Sequence, residues 1–217
     1  MTRIKTTLAL LAFALAGCSS DPETASLYRA LLPFGKAAPQ PDAAYTSARA
    51  NGSPLFAAAV ESNPAAVTFF ARQARASKSG VETWIAPDGA QIMLNDGILT
   101  GTRGFGADVM ASETSESRAL IKSLGTGYAT RLMTLLDGDN HAVTRAFKCK
   151  ISPGPMQTVN QGTANISART VTETCRNGDI AFSNFYWLVP STREIIQSSQ
   201  WAGATTNKIS IRKTPKT

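Results

Sequence analysis

The sequence predicts a mainly β protein: an antiparallel sandwich or barrel-like single domain with one or two short helices. Turn signals recur at short intervals, at Asn51-Gly52, Pro87-Asp88-Gly89, Asp96-Gly97, Asp137-Gly138 and Asn177-Gly178. Apolar runs of strand length lie between them, the spacing of sandwiches and barrels. The composition agrees. The chain has 217 residues, 43% hydrophobic and 17% charged, which suits one domain with a substantial core and excludes a disordered polymer. It carries no collagen, coiled-coil or repeat signature.

In chain order, the first element is a leader. Arg3 and Lys5 precede the apolar run Leu8–Ala16, the layout of a secretory signal peptide over residues 1–17. The run is well short of the roughly 20 residues that cross a bilayer as a helix. It ends Leu15-Ala16-Gly17-Cys18, which resembles the bacterial lipobox. That resemblance implies cleavage before Cys18, a diacylglycerol on its sulfur and a third acyl chain, such as palmitate, on its new amine. Ser19, where an aspartate would retain the chain, implies the outer membrane. At about 0.8 kcal/mol per buried methylene, two or three acyl chains hold a protein durably at a membrane. Residues 18–25 then read as a lipidated tether, and 26–217 as the β-rich domain.

Within that domain, Ser26–Leu32 reads as a short helix stopped by Pro33, and 33–54 as loop with a strand near Ala44–Ala50. Strands are expected at Leu55–Val60, Val67–Ala74, Glu82–Ala86, Gln91–Leu94 and Ile98–Thr102. Further strands follow at Arg131–Leu136, Val143–Ile151, Ile166–Cys175, Ile180–Val189, Glu194–Trp201 and Asn207–Arg212. A helix near Ser117–Leu124 places Ala119, Leu120 and Leu124 on one side. Asn177-Gly178 as a two-residue hairpin turn would set Cys175 opposite Ile180, Glu173 opposite Phe182 and Asn184 opposite Val171.

With Cys18 acylated, Cys149 and Cys175 remain. An even pair in an oxidising compartment reads as a disulfide, and alternation points both sulfurs at apolar surface. Two buried free thiols are the alternative. The spacing is far from Cys-x-x-Cys, so redox catalysis is the weakest reading.

The remaining motifs favour structure over chemistry. Gly101-Thr102-Arg103-Gly104-Phe105-Gly106 has glycines that cradle phosphate in nucleotide folds, but those need a parallel βαβ unit; here they suit a bulge or corner. Asp137-Gly138-Asp139-Asn140-His141 lacks the sixth-position glycine and the terminal glutamate of a calcium loop. The single histidine rules out a multi-histidine metal site, and no Gly-x-Ser-x-Gly elbow accompanies it. Asp88, Asp96, Asp108, Glu173 and Glu194 are acids that a glycosidase would need in pairs, though no spacing recommends any two. Trp84, Trp187 and Trp201 suit sugar stacking, yet aromatics in strands more often pack sheets; Trp187 and Trp201 are kept as glycan or partner contacts. Asn184 falls on an apolar face, where a buried amide needs partners and serves a neighbouring turn. Without its leader the chain has 20 basic and 15 acidic residues, a mild excess suited to anionic polysaccharide but with no dense cationic block.

Ser183-Asn184-Phe185-Tyr186-Trp187 followed by Ser198-Ser199-Gln200-Trp201 resembles paired motifs of the YjbF/GfcB lipoprotein family. Trp84-Ile85-Ala86-Pro87-Asp88-Gly89, Asn95-Asp96-Gly97-Ile98-Leu99, Thr102–Asp108 and the Cys18 lipobox resemble it too, and Cys149 with Cys175 resembles a cysteine pair of some members. Ser199 departs from the arginine usual there. The resemblance implies a mainly β outer-membrane lipoprotein linked to exopolysaccharide or group 4 capsule production, with no catalytic residue; the domain is expected to face the periplasm and to carry no cofactor. The expected function is that of a non-catalytic accessory in polysaccharide secretion. Its expected partners are the membrane through the lipid, other secretion proteins and anionic polysaccharide, and not nucleic acid. A hydrolase with paired carboxylates and a carrier of lipid or lipid-linked sugar are the alternatives.

Overall fold

Each strand of the sheet is antiparallel to its neighbours, and the order follows the chain almost throughout. In the computed structural model, which describes residues 40–75, 79–136, 139, 141–162 and 164–214, twelve strands run in the order β5-β4-β3-β2-β1-β12-β11-β10-β9-β8-β7-β6. They are β1 (Leu55–Val60), β2 (Thr68–Arg75), β3 (Val81–Ile85), β4 (Gln91–Asn95), β5 (Ile98–Arg103) and β6 (Val109–Glu113). After the helix come β7 (Gly127–Leu136), β8 (Ala142–Asn160), β9 (Asn165–Asn177), β10 (Ile180–Leu188), β11 (Ile195–Trp201) and β12 (Lys208–Lys213). First and last strands pair, and the two sheet edges, β5 and β6, lie beside each other, so the sheet curls into a nearly closed barrel. All but Gln40 belong to one compact unit, Pro41–Thr217. The leader, Cys18, the tether and the Ser26–Leu32 helix lie outside the described residues, as do Asp137, Gly138 and Asn140 of the β7–β8 connection.

Inward positions alternate with outward ones and fill the barrel. Phe56, Ile92, Ile98, Leu99, Met133, Phe147, Ile151, Tyr186, Leu188 and Ile209 are all essentially without exposure. Trp84 is core, its ring 4.5 Å from that of Phe56. A small half-open cleft lined by Phe56, Glu82, Trp84, Ile195 and Lys213 among others holds about 20 Å³, room for a single water.

Two helices complete the unit. The expected strand near Ala44–Ala50 is instead α1 (Ala43–Ala50). Asp42 caps it, accepting from the Ala44 amide at 2.7 Å, and the alanines that imitate strand alternation are also the best helix formers. The second helix, α2 (Ser115–Ser123), matches expectation within two residues and buries Ser117 and Ile121. It packs on β7 and β8, while Arg118 reaches Asp96 at 3.0 Å and the Ser123 carbonyl accepts from Arg193. It thus covers the barrel end that holds the β4–β5 and β10–β11 turns.

Two departures from the sequence reading shape the site. The β9–β10 turn uses Gly178-Asp179, with positive φ at Gly178, its first central residue, as a type II′ turn requires. Cys175 therefore faces Phe182, and Asn184 faces Glu173 rather than Val171. The shift of two keeps every side chain on its expected face. Strand β8 also continues past Ile151 through Ser152-Pro153-Gly154-Pro155, where Pro153 stays opposite Val171 and a bulge absorbs Gly154-Pro155. A Cβ on Gly154 would run into Thr170 Oγ1, so a larger residue there would displace the Thr170 hydroxyl from its bond to the Pro155 carbonyl. Beyond the bulge the β8–β9 hairpin becomes an arm. Its Val159 and Ala168 form a separate small core with Ile196, against which Trp187 packs.

Candidate functional site

The barrel interior carries charge. Arg131 on β7 and Glu173 on β9 are both fully buried, with Nη1 donating to Oε2 at 3.0 Å. The same oxygen accepts from Asn184 Nδ2 at 2.8 Å and the Tyr186 hydroxyl at 2.9 Å. Asn184 Oδ1 in turn accepts from the Trp201 amide at 2.7 Å, tying β10 to β11. Asn184 is thus the structural link expected of a buried amide, though its main partner is the acid across the hairpin.

This network also closes the barrel. Arg131 Nη2 donates to the Leu99 carbonyl at 2.8 Å, and Gln200 Oε1 accepts from the Leu99 amide at 2.8 Å. Gln200 Nε2 donates to the Gly97 carbonyl and to Ser198 Oγ, each at 2.9 Å. Side chains from across the interior therefore satisfy both peptide groups of Leu99 on edge strand β5. The sequence motifs around Asn184, Tyr186, Gln200 and Leu99 meet here, which gives them a structural role.

Electrostatics fix the protonation states. Burial is the largest single influence and would raise the Glu173 carboxyl, but the Arg131 charge together with Ser117, Asn184 and Tyr186 outweighs it; the carboxyl ends below its usual range. The Ser117 hydroxyl faces this carboxylate with geometry short of a full hydrogen bond. Burial, and then the Glu173 charge, push the Tyr186 phenol well above its ordinary value. The signs differ in their consequences. A depressed carboxyl contributes stability above its unfolded value of about 4.3, and this is lost as pH falls through the folded value. A raised phenol contributes fully below about 10, and this is lost as pH rises through its folded value. Urea midpoints are therefore expected to be flat from about pH 5.5 to 9.5 and to fall on both sides. A midpoint that keeps rising toward pH 3 would contradict an ionised Glu173.

The disulfide joins Cys149 and Cys175, a directly opposed pair of β8 and β9, both without exposure. Those sulfurs and the Glu173 carboxylate lie within 4.8 Å of one another, but the bond between the sulfurs takes up their ligand capacity. Phe147, Phe182 and Trp201 pack beside the bridge, with Phe182 and Trp201 stacked at 4.3 Å.

The acids singled out in the sequence are each engaged. Asp88 accepts from the Ala90 amide, Asp96 pairs with Arg118, and Glu194 pairs with Lys213 at 2.8 Å. Asp108 accepts from the Gly104 and Phe105 amides at 2.9 and 3.1 Å and from Thr102 Oγ1 at 2.8 Å. The amides of the glycine-rich loop that would cradle a phosphate are thus occupied by the chain's own carboxylate, and the loop is a corner between β5 and β6.

The outer surface holds an open groove of about 470 Å³, lined by Thr174, Arg176, Ser183, Phe185, Trp201 and Lys208 among others. Lys208 Nζ lies 5.1 Å from the centre of the Phe185 ring, and the Thr174 and Ser183 hydroxyls bond each other at 3.2 Å. Trp201 is 7% exposed and borders this groove from the core. Trp187 lies elsewhere, half-buried against the arm, its indole N–H donating to Gln157 at 2.7 Å. Ser199 donates to Glu61, which also meets Lys208 at 3.8 Å.

Comparison with known proteins agrees with this architecture. None of the curated proteins matches the sequence closely enough to count as a relative. The crystal structure of the hypothetical lipoprotein YmcC from Escherichia coli (K12) is similar in fold, with a TM-score of 0.66 at 16% identity over 91% of this chain and 95% of that one. The sequence model of the YjbF family, described as group 4 capsule polysaccharide lipoprotein gfcB, matches residues 22–213. With a barrel whose closing network is built from the very motifs that resemble that family, and with the family match running over most of its length, the chain belongs to the YjbF family of capsule polysaccharide lipoproteins.

Proposed function

We propose that the chain is an outer-membrane lipoprotein, anchored through acylated Cys18 with its β unit facing the periplasm. There it serves capsule or exopolysaccharide production as a non-catalytic accessory, through contacts with other secretion proteins and with the polysaccharide. Family membership and the lipobox-like leader support this reading. The observation that carries it is the lining of the open groove, which offers cations, hydroxyls and ring edges but no carboxylate. A glycosidase needs an acid and a second carboxylate about 5–9.5 Å apart around an accessible bond. Glu173, the most deeply buried acid, is sealed among donors. The large side chains buried inside the barrel likewise speak against a lipid carrier.

The test is made in cells that carry the full chain. Cys18→Ala is expected to reduce surface polysaccharide to the level of cells lacking the protein, with the chain recovered from the soluble periplasm. Asp88→Asn combined with Glu194→Gln is expected to leave output unchanged. The reading fails if the purified chain depolymerises or trims a polysaccharide and one carboxylate substitution abolishes the turnover.

A further inference from the structure

The outer face of β8 and β9 keeps a charge arrangement that fold stability does not account for. Lys148 and Arg176 stand directly opposite each other across the two strands, and both are exposed. Like charges so placed destabilise a sheet. Lys150, two residues from Lys148 on the same face, adds a third cation. Among the described residues no carboxylate pairs with any of the three.

These cations are continuous with the groove. Arg176 is one of its walls, and register carries the surface onward from Lys150 to Thr174 and from Thr174 to Ser183; Lys208 lies opposite Trp201 at the far side. The band therefore crosses from β7 to β12, five inter-strand steps of about 4.8 Å, or about 24 Å. A lysine over an aromatic ring stands at each end: Lys148 lies 5.1 Å from the Tyr128 ring centre and Lys208 5.1 Å from that of Phe185. Acids stand at its margins: Glu61 beside Lys208, Glu116, which accepts from the Thr130 amide, and Asp179 in the turn beyond Arg176.

From this juxtaposition we infer that the groove and the Lys148–Lys150–Arg176 cluster form one binding track for an extended acidic polysaccharide bearing carboxylate groups. The inference rests on the accessory reading above and names the ligand class of its polysaccharide contact. Three features select this occupant. A cluster of unpaired cations at one end of the band meets carboxylates of an acidic chain, and Lys208, shared with Glu61, adds a positive charge at the other end. The Thr174 and Ser183 hydroxyls can exchange their mutual bond for sugar hydroxyls. The Phe185 ring and the Trp201 edge give apolar footing for the C–H face of a sugar ring. A lipid surface, by contrast, is met by a convex face, and here the rings sit in a trough.

The test uses the full-length chain in neutral detergent, with polygalacturonate as probe, dextran as the uncharged control and anionic phospholipid vesicles as the competing surface. Polygalacturonate is expected to retard the chain in affinity electrophoresis, dextran not at all, and added salt to weaken the effect. Lys148→Gln, Lys150→Gln and Arg176→Gln together are expected to weaken binding at least tenfold. Arg49→Gln, Arg103→Gln and Arg193→Gln, which remove the same charge elsewhere, are expected to change it less than twofold. Phe185→Ala is a second, uncharged probe of the trough and is expected to weaken binding with the unfolding midpoint retained. Equal loss in the two triple variants would overturn the proposal, as would vesicle binding that depends on the same three cations and exceeds binding of polygalacturonate. Should Cys18→Ala abolish export while the track variants bind polygalacturonate normally, the track falls and the accessory role stands.

Discussion

Replacing Arg131 with methionine is expected to lower the unfolding free energy by about 3–5 kcal/mol, the usual cost of stranding a buried charge. Neither Arg131 nor Glu173 has any side-chain exposure, so the remaining carboxylate cannot turn to water. The Leu99 carbonyl would lose its 2.8 Å donor and Ser112 Oγ its contact with Nε at the same time. Urea unfolding measures the effect as a lower midpoint at an unchanged slope. Adding Glu173→Gln to the methionine variant removes the stranded charge but leaves an amide oxygen for Asn184 and Tyr186, which both donate to that position. The double variant should therefore recover at least about 1.5 kcal/mol relative to the sum of the single changes. A single-variant cost below about 1 kcal/mol would mean that the pair is not a buried ion pair.

The second large effect concerns the disulfide. Cys149→Ala with Cys175→Ala is expected to cost about 3–4 kcal/mol on the chain-entropy account, since the bridge spans 26 positions of sequence. Kinetics sharpen the prediction. Both sulfurs are fully buried, so reductant reaches the bond only through opening of the unit. Thiol trapping in millimolar reductant should find the bond intact under native conditions and released in urea at the pace of unfolding. Prompt labelling of the native chain would contradict the burial.

The strands were legible wherever one face was buried and the turn chemistry plain. Leu55–Val60 coincides with β1, and the Asp96-Gly97 turn joins β4 to β5 as expected. Strand β6 escaped because Val109 is its only buried residue and Met110 is exposed, so no alternation marks it. The alanines of α1 are silent about period, and Asp42 as a cap was the better signal. The strand expected to end at Ile151 runs on, because Pro153 keeps its place opposite Val171 and a bulge at Gly154-Pro155 lets pairing resume at Met156. The hairpin register slipped by two because Asn-Gly suits one turn and Gly-Asp the next one along. The disulfide was readable from Cys149 and Cys175, their faces and the export that the lipobox-like leader leads one to expect.

Of the candidate site, the buried ion pair was missed although its signal was present. Arg131 sits between Ala129 and Met133 on an inward face, and Glu173 between Val171 and Cys175. A charge in the apolar phase of an alternating strand needs an opposite charge; two such strands, next but one in the sheet, supply each other. The cationic track left no local trace, because its members come from β8, β9 and β12 and converge only through register.

The way the barrel closes at Leu99 has one more consequence. A strand at the rim of a sheet ordinarily advertises free peptide groups on which another chain can extend the ladder. At Leu99 that vacancy is filled from within, by Gln200 and Arg131, so the rim is mute at its midpoint. Its amide proton should exchange with solvent as slowly as those of the innermost strands, and an added thirteenth stave would find no free peptide group at that position.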